Sequence, residues 1–111
     1  MIRTLAIGLV ALVCWLSLTP KPPGVPGLPA NSDLAVHLVM HLAVAGSLML
    51  GWPGAGRIAL AYALAAGLEL GQIAVPGRTV SAWDMAANLI GAAWGGGLAG
   101  AVARQVPPSL R

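Results

Sequence analysis

Apolar residues in this chain are gathered into four long blocks, and the polar residues stand between the blocks or close to their ends. The blocks cover residues 2–19, 33–52, 57–75 and 81–103. Each comes close to the roughly 20 apolar residues that a helix needs to cross a bilayer. Because the blocks use nearly the whole chain, the pattern predicts one all-α membrane domain over residues 1–111, with four transmembrane helices packed as an antiparallel bundle.

The segments between the blocks are rich in proline and glycine, the residues that most often end helices. Residues 20–32 hold the densest run and predict an outer proline-rich loop. A Pro-Gly pair closes both the second and the third block. Ser81 and Asp84 begin the fourth block with a capping-box pattern, in which each side chain accepts a hydrogen bond from the backbone N–H of the other residue.

The composition favours a lipid environment over a water-exposed surface. Hydrophobic residues make up 58% of the chain and charged residues 8%, whereas a soluble domain carries about 25% charged residues. The mean hydropathy is +0.83. The net charge of +3 comes from basic residues scattered singly at the block ends, so no nucleic-acid partner is expected.

The distribution of basic residues predicts the orientation of the helices, because cytoplasmic loops carry an excess of Lys and Arg. With four spans, one side of the membrane receives Arg3, Arg57, Arg104 and Arg111, and the other receives Lys21 and Arg78. This bias favours a location in the bacterial cytoplasmic (inner) membrane with both termini in the cytoplasm. The proline-rich loop and the loop that holds Arg78 then face outward.

Polar residues from three different blocks lie at a similar depth below the same predicted membrane face, about 6 to 12 Å from the helix ends at a rise of about 1.5 Å per residue. Ionisable groups that face lipid cost a few kcal/mol, so these side chains should point into the bundle. Arg78 is expected to close over them and to pair with the carboxylates. The sequence therefore predicts an outward-facing polar pocket lined by Asp33, His37, His41, Glu69, Gln72, Arg78, Ser81, Asp84 and Asn88.

The chemistry of this pocket leaves three interpretations open. It could bind a lipid head group or a lipid-linked envelope precursor, with Arg78 pairing an anionic group. It could belong to a membrane-embedded hydrolase or transferase, with Glu69 or Asp84 as base and His37 as acid or base. The polar residues could also form a structural network in a helix bundle or a partner subunit.

Metal and cofactor chemistry receive less support from the sequence. His37 and His41 with Glu69 or Asp84 supply ligand types that zinc uses. The HExxH pattern of a metalloprotease is absent, because residue 38 is Leu. We therefore expect no metal and no cofactor.

Glycines are spaced four residues apart in both the third and the fourth block, which permits close helix packing in lipid. The pairs are Gly67 with Gly71, Gly91 with Gly95, and Gly96 with Gly100. We expect the third and fourth helices to pack tightly against each other. The same spacing in the fourth helix could drive formation of a homo-oligomer.

The order of these polar residues resembles the motif series of the VanZ-like family of small bacterial membrane proteins. The resemblance covers residues 33–97 and includes an Asp with a His four residues later, Glu-x-x-Gln, an Arg loop, a Ser, and Asp-x-x-x-Asn-x-x-Gly. Two positions differ, since Leu34 stands where the family usually has Lys and His41 where it usually has an aromatic residue. The matching residues are Asp33, His37, Glu69, Gln72, Arg78, Ser81, Asp84, Asn88, Gly91 and Gly95.

The resemblance implies a role at the cell envelope, because the family takes its name from a protein linked to low-level resistance to the glycopeptide teicoplanin. Its implied partners are membrane lipids and envelope precursors. An outward-facing polar pocket suits such a role. The family's biochemical activity is not settled, so the resemblance does not decide between binding and catalysis.

Overall fold

The structure is a computed structural model that describes residues 1–19, 33–78 and 80–105. Within these ranges the chain is all-α and contains no strand. The predicted proline-rich loop, Lys21 and Arg111 lie outside the described residues. The helices are α1 (Ile2–Leu18), α2 (Asp33–Gly51), α3 (Gly56–Gly71), a 3-10 turn (Gln72–Ala74) and α4 (Ala82–Gln105).

The helix boundaries follow the proline, glycine and serine signals closely. The chain turns between α2 and α3 at Gly54, whose φ of 93° favours glycine. A second glycine, Gly77 with a φ of 79°, turns the chain between α3 and α4. The third apolar block ends as a short 3-10 turn rather than as α-helix, so α3 itself is shorter than predicted.

Two of the described helices are long and apolar enough to cross a membrane by length and composition. They are the segments Leu34–Gly51 and Ala82–Gln105. Ile2–Leu18 is also apolar but shorter. The core helices of soluble proteins can meet the same criteria, so an arrangement with four transmembrane helices stays a prediction.

The closest helix pair is α2 with α4, and glycine makes this approach possible. A Cβ atom built on Gly91 would overlap the backbone carbonyl oxygen of Leu38, and one built on Gly95 would overlap that of Leu42. Because both contacts advance by four residues in the same direction, α2 and α4 run parallel. Neighbouring α3 and α4 run antiparallel, as shown by contacts of Ala65 with Asn88 and of Glu69 with Ser81.

The prediction that α3 and α4 form the tight glycine-mediated pair is therefore wrong. A Cβ on Gly67 would meet nothing within 4 Å, and one on Gly71 would meet Leu18 of α1 at 3.3 Å. The spacing of small residues identified the surfaces that allow close approach in α4, but spacing carries no information about which helix lies opposite.

The core consists mainly of small residues, which is why the helices can lie close together. Fully or nearly buried apolar residues come from every helix, and alanine is the commonest among them. Small side chains let helix backbones approach where lipid provides no hydrophobic driving force. The main buried cluster contains Ala6, Val13, Val44, Ala45, Leu48, Ala61, Ala65, Leu68 and Ala92.

The two ends of the bundle carry opposite charge. The chain has three acidic residues, and all of them belong to one end, here called the acidic end: Asp33 begins α2, Glu69 lies in the last turn of α3, and Asp84 lies in the first turn of α4. Among the described residues, the opposite end, here called the basic end, holds Arg3, Arg57 and Arg104.

Candidate functional site

His37 of α2 stands between two side chains of α4 at the acidic end. Its Nδ1 lies 2.8 Å from Oδ1 of Asn88. Its Nε2 lies 3.8 Å from Oδ2 of Asp84, with the two side chains 21% and 24% exposed. The second distance exceeds a hydrogen bond and fits an ion pair only when the imidazole is protonated. His37 is therefore held on one ring nitrogen and remains reachable on the other.

Asn88 determines which nitrogen of His37 carries the proton. The Nδ2 amide group of Asn88 donates to the backbone carbonyl of Ala65 in α3 at 3.0 Å. Its Oδ1 consequently faces His37, so the imidazole donates from Nδ1. In the neutral ring the lone pair then sits on Nε2, on the side of Asp84, where it can accept a proton or a hydrogen bond.

Glu69 joins the end of α3 to the start of α4. Its side chain is 1% exposed, and Oε1 accepts a hydrogen bond from the backbone N–H of Ser81 at 2.7 Å. The Ser81 hydroxyl accepts from the backbone N–H of Asp84 at 3.2 Å, as the capping pattern predicted. The other half of that prediction is wrong, because Glu69 takes the Ser81 N–H that the Asp84 carboxylate was expected to bind.

Asp84 is consequently released from capping and directed toward His37. A carboxylate in the first turn of a helix also interacts favourably with the helix dipole. Asp84 can therefore stabilise the start of α4 through the helix dipole and also form the partly exposed side of the site next to His37. We call the five residues that these contacts connect the polar cluster: His37, Glu69, Ser81, Asp84 and Asn88.

Two buried polar atoms near this cluster make no hydrogen bond within the described chain. They are Oε2 of Glu69 and Nδ1 of His41. Both side chains are almost fully buried, at 1% and 2% exposed. An unsatisfied buried polar group typically costs about 1–3 kcal/mol, so each such atom requires an explanation.

Besides His41, two further predicted site residues lie apart from the polar cluster. Gln72 is buried, but its Nε2 donates to the backbone carbonyl of Ser17 at 3.0 Å, so this side chain binds α1. Arg78 is half-buried in the turn before α4, and within the described residues it makes no ion pair with Glu69 or Asp84. The predicted closure of Arg78 over the carboxylates is therefore not formed in this structure.

Asp33 is the remaining predicted site residue. It begins α2 one turn before His37, which places its backbone at the acidic end. Its side chain lies outside the described residues.

The described residues contain no group of three or more His, Cys, Asp or Glu side chains that could hold a metal ion. His37 and His41 lie about one helical turn apart on α2, and their surroundings differ. Nδ1 of His37 bonds to Asn88, whereas Nδ1 of His41 has no hydrogen-bond partner in the described chain.

Sequence reasoning missed two backbone acceptors that position the site. The carbonyl of Ala65 holds Asn88, and the carbonyl of Ser17 holds Gln72. Every residue has a carbonyl, so no residue type marks these positions in advance. The contacts depend on how the helices are arranged, and only the structure supplies that arrangement.

Comparisons of the chain with models of protein families, with curated proteins and with solved structures find no match. The resemblance to VanZ-like proteins therefore stays a prediction from the motif series.

Proposed function

We propose that the chain is a four-span membrane protein in which α1 and α3 cross the bilayer beside α2 and α4. Only 28% and 33% of the two candidate spans is buried inside the protein, whereas the core helix of a soluble protein is mostly buried. All four helices also expose large apolar side chains, which lipid would cover. Examples are Leu5, Ile7 and Leu12, then Val39 and Leu50, then Ile58 and Leu70, and finally Ile90, Trp94 and Leu98.

The acidic end faces outward in this proposal, and the basic end faces the cytoplasm. Arg3, Arg57 and Arg104 share the basic end, which agrees with the excess of positive charge on cytoplasmic sides. In a bacterial inner membrane the polar cluster would then lie just below the outer surface, with both termini inside.

The function that this site supports best is binding of a lipid head group or a lipid-linked envelope precursor. The observation that carries the proposal is Oε2 of Glu69, a buried carboxylate oxygen that makes no hydrogen bond within the described chain and belongs to the same polar cluster as the partly exposed His37 and Asp84. A network that served only to hold helices together would satisfy its own acceptors. A buried acceptor left over near the acidic end fits a ligand that brings the donor as it enters the bundle.

The residues also define the chemistry of the ligand. Glu69 and Asp84 require hydroxyl or ammonium donors, and Nε2 of His37 can accept a further hydrogen bond. Arg78, three residues before Ser81, supplies a cation for a phosphate. A head group that carries both donors and a phosphate meets these requirements. Membership of the VanZ-like family, and with it a modulating role at the envelope, belongs to the same proposal.

The experiment compares the lipids that stay bound to purified protein in native mass spectrometry. Wild-type protein should retain an enriched polar lipid from a bacterial membrane extract. Glu69→Gln removes the charge and keeps the shape of the side chain, and Arg78→Ala removes the cation. Each change should lower the retained lipid at least several-fold, because each removes a charged partner of the head group.

Arg104→Ala is the matched control, because it removes one exposed arginine from the basic end. It should leave the retained lipid unchanged. Equal lipid retention in wild type, Glu69→Gln and Arg78→Ala would contradict the proposal.

A structural role is the second candidate, and the position of Asn88 favours it. Asn88 is 2% exposed and bonds to both α2 and α3, as a residue that holds helices together would. If the whole cluster is structural, Glu69→Gln will lower thermal stability in detergent without a separate loss of lipid. If Glu69 serves a ligand, lipid retention will fall while folding is kept.

A further inference from the structure

An apolar groove lies at the basic end, far from the polar cluster. It encloses about 450 Å³ between α1, α2 and α3. Its walls are almost entirely apolar. Among the described residues that line the groove, Arg57 is the one that carries a charge. The lining consists of Ile7, Val10, Leu48, Trp52, Pro53, Gly56, Arg57 and Leu60.

Two arginines bind the end of α2 beside this groove. Nε of Arg3 donates to the carbonyl of Gly51 at 2.7 Å, and its guanidinium lies 5.3 Å from the centre of the Trp52 ring. Nη1 of Arg57 donates to the carbonyls of Met49 and Trp52. The two cations thus bind neighbouring carbonyls at one helix terminus.

Both arginines retain donors after capping the helix. A guanidinium carries five N–H donors, and the described bonds use Nε of Arg3 and Nη1 of Arg57. Nε of Arg57 is buried and has no hydrogen-bond partner within the described chain. The pair therefore presents unused donors beside the apolar groove.

The basic end also holds more positive charge than the helix terminus requires. The C-terminus of a helix carries about half a negative charge, and two full positive charges are placed against it. All three acidic residues of the chain belong to the opposite end. Within the described residues, no acidic side chain lies at this end to neutralise the surplus positive charge.

We propose that this groove and its arginine pair bind an anionic phospholipid, with an acyl chain in the groove and the phosphate on the free donors of Arg3 and Arg57. The site is distinct from the polar cluster but rests on the proposed membrane location. Basic pockets between helices on the cytoplasmic side are suited to anionic head groups, and the planar guanidinium fork matches phosphate geometry.

The test titrates delipidated protein in detergent with dioleoyl phosphatidylglycerol or with dioleoyl phosphatidylcholine, followed by native mass spectrometry. The two lipids share acyl chains and differ in net charge. The anionic lipid should bind about tenfold more tightly to wild type, because its phosphate charge is uncompensated, whereas the choline cation of phosphatidylcholine is repelled by the two arginines. Arg57→Met should lower the preference for phosphatidylglycerol several-fold, with Arg3 retaining the remainder.

A second variant tests the groove without removing a helix cap. Leu60→Trp narrows the groove and should weaken binding of both lipids while Arg3 and Arg57 keep their bonds. Arg104→Ala removes an equal charge at the same end and should change neither. Equal binding of the two lipids by wild type, or an unchanged preference in Arg57→Met, would overturn the proposal.

Glu69→Gln separates this proposal from that of the polar cluster. The preference for phosphatidylglycerol should persist in Glu69→Gln, whatever that variant does to the enriched lipid of the acidic end. A preference that disappears in Glu69→Gln and persists undiminished in Arg57→Met would place the anionic lipid at the acidic end and refute the groove site. A dimer that dissociates in Leu60→Trp would show that a second copy of the chain fills the groove instead.

Discussion

The polar side chains at the two ends of the bundle differ in how deeply they are buried. At the acidic end, Glu69 and Asn88 bond across helices, to the backbone of Ser81 in one case and of Ala65 in the other. At the basic end, Arg3 and Arg57 both bond to the terminal carbonyls of α2. The bonds at both ends connect neighbouring helices, since Arg3 belongs to α1 and Arg57 to α3. The difference is depth, because Glu69 and Asn88 are almost fully buried whereas the arginines are exposed or half-buried.

A polar atom without a hydrogen-bond partner has different consequences at the two ends. A helix terminus can reach water, so the spare donors of the exposed Arg3 are easily accommodated there, although Nε of Arg57 is buried without a partner in the described chain. Glu69 lies inside the bundle at 1% exposed, and its second oxygen has no such access through the described chain. The acidic end therefore has the stronger physical requirement for a ligand.

The largest loss of stability is expected where α2 and α4 touch, because this contact positions the helices that form both ends of the bundle. Gly91→Ala or Gly95→Ala would force a methyl group against a backbone carbonyl of α2. Overpacking typically costs about 1–3 kcal/mol and occasionally more. Because the opposing atoms belong to the backbone and no side-chain rotation relieves the overlap, the loss should lie at or above the upper end of this range. Thermal unfolding of the purified protein in detergent should show a clear loss of stability, larger in the double variant.

Gly97→Ala is the matched control for these changes, since a Cβ at that position meets nothing within 4 Å. It should leave stability unchanged or raise it slightly, because alanine is the better helix former. A destabilisation by Gly97→Ala equal to that of Gly91→Ala would mean that the α2–α4 crossing is wrong.

A smaller effect is expected from Asn88→Ala, which sharpens the comparison at the acidic end. The change leaves Nδ1 of His37 and the Ala65 carbonyl without their partner. Loss of a buried partner costs about 1–3 kcal/mol. Gln105→Ala removes an exposed amide from the basic end of the same helix and should cost almost nothing. Equal stability of Asn88→Ala and Gln105→Ala in unfolding experiments would contradict the difference between buried bonds at the acidic end and exposed groups at the basic end.

The smallest effect is expected from Ser81→Ala. Replacement of a capping serine usually costs about 1 kcal/mol. Here only the bond from the Asp84 N–H to the Ser81 hydroxyl is lost, because Glu69 still holds the Ser81 N–H. Unfolding measurements should therefore show a loss at or below the usual value. A loss that matches Asn88→Ala would mean that Glu69 does not support the start of α4.

The sequence is enough to predict the four helices and the depth of their polar residues, because both follow from apolar block length and helical rise. His37, Glu69, Ser81, Asp84 and Asn88 do come together at one end. The partners of individual groups could not be predicted, since they depend on the relative rotation and spacing of the helices.

Two errors illustrate this limit. The Glu69 carboxylate occupies the capping position that local sequence spacing assigned to Asp84. The amide of Gln72 turns to the carbonyl of Ser17 in α1 although its neighbour Glu69 faces α4. Spacing along one helix locates a face of that helix, but the identity of the opposing helix comes from tertiary packing.

The most direct test of the central claim is a high-resolution structure of the protein in lipid nanodiscs that contain a bacterial lipid extract. We expect head-group density beside His37 and Asp84, with a donor of the head group within hydrogen-bond distance of Oε2 of Glu69. A structure in which this oxygen accepts a hydrogen bond from the protein itself, with no lipid density at the acidic end, would contradict it.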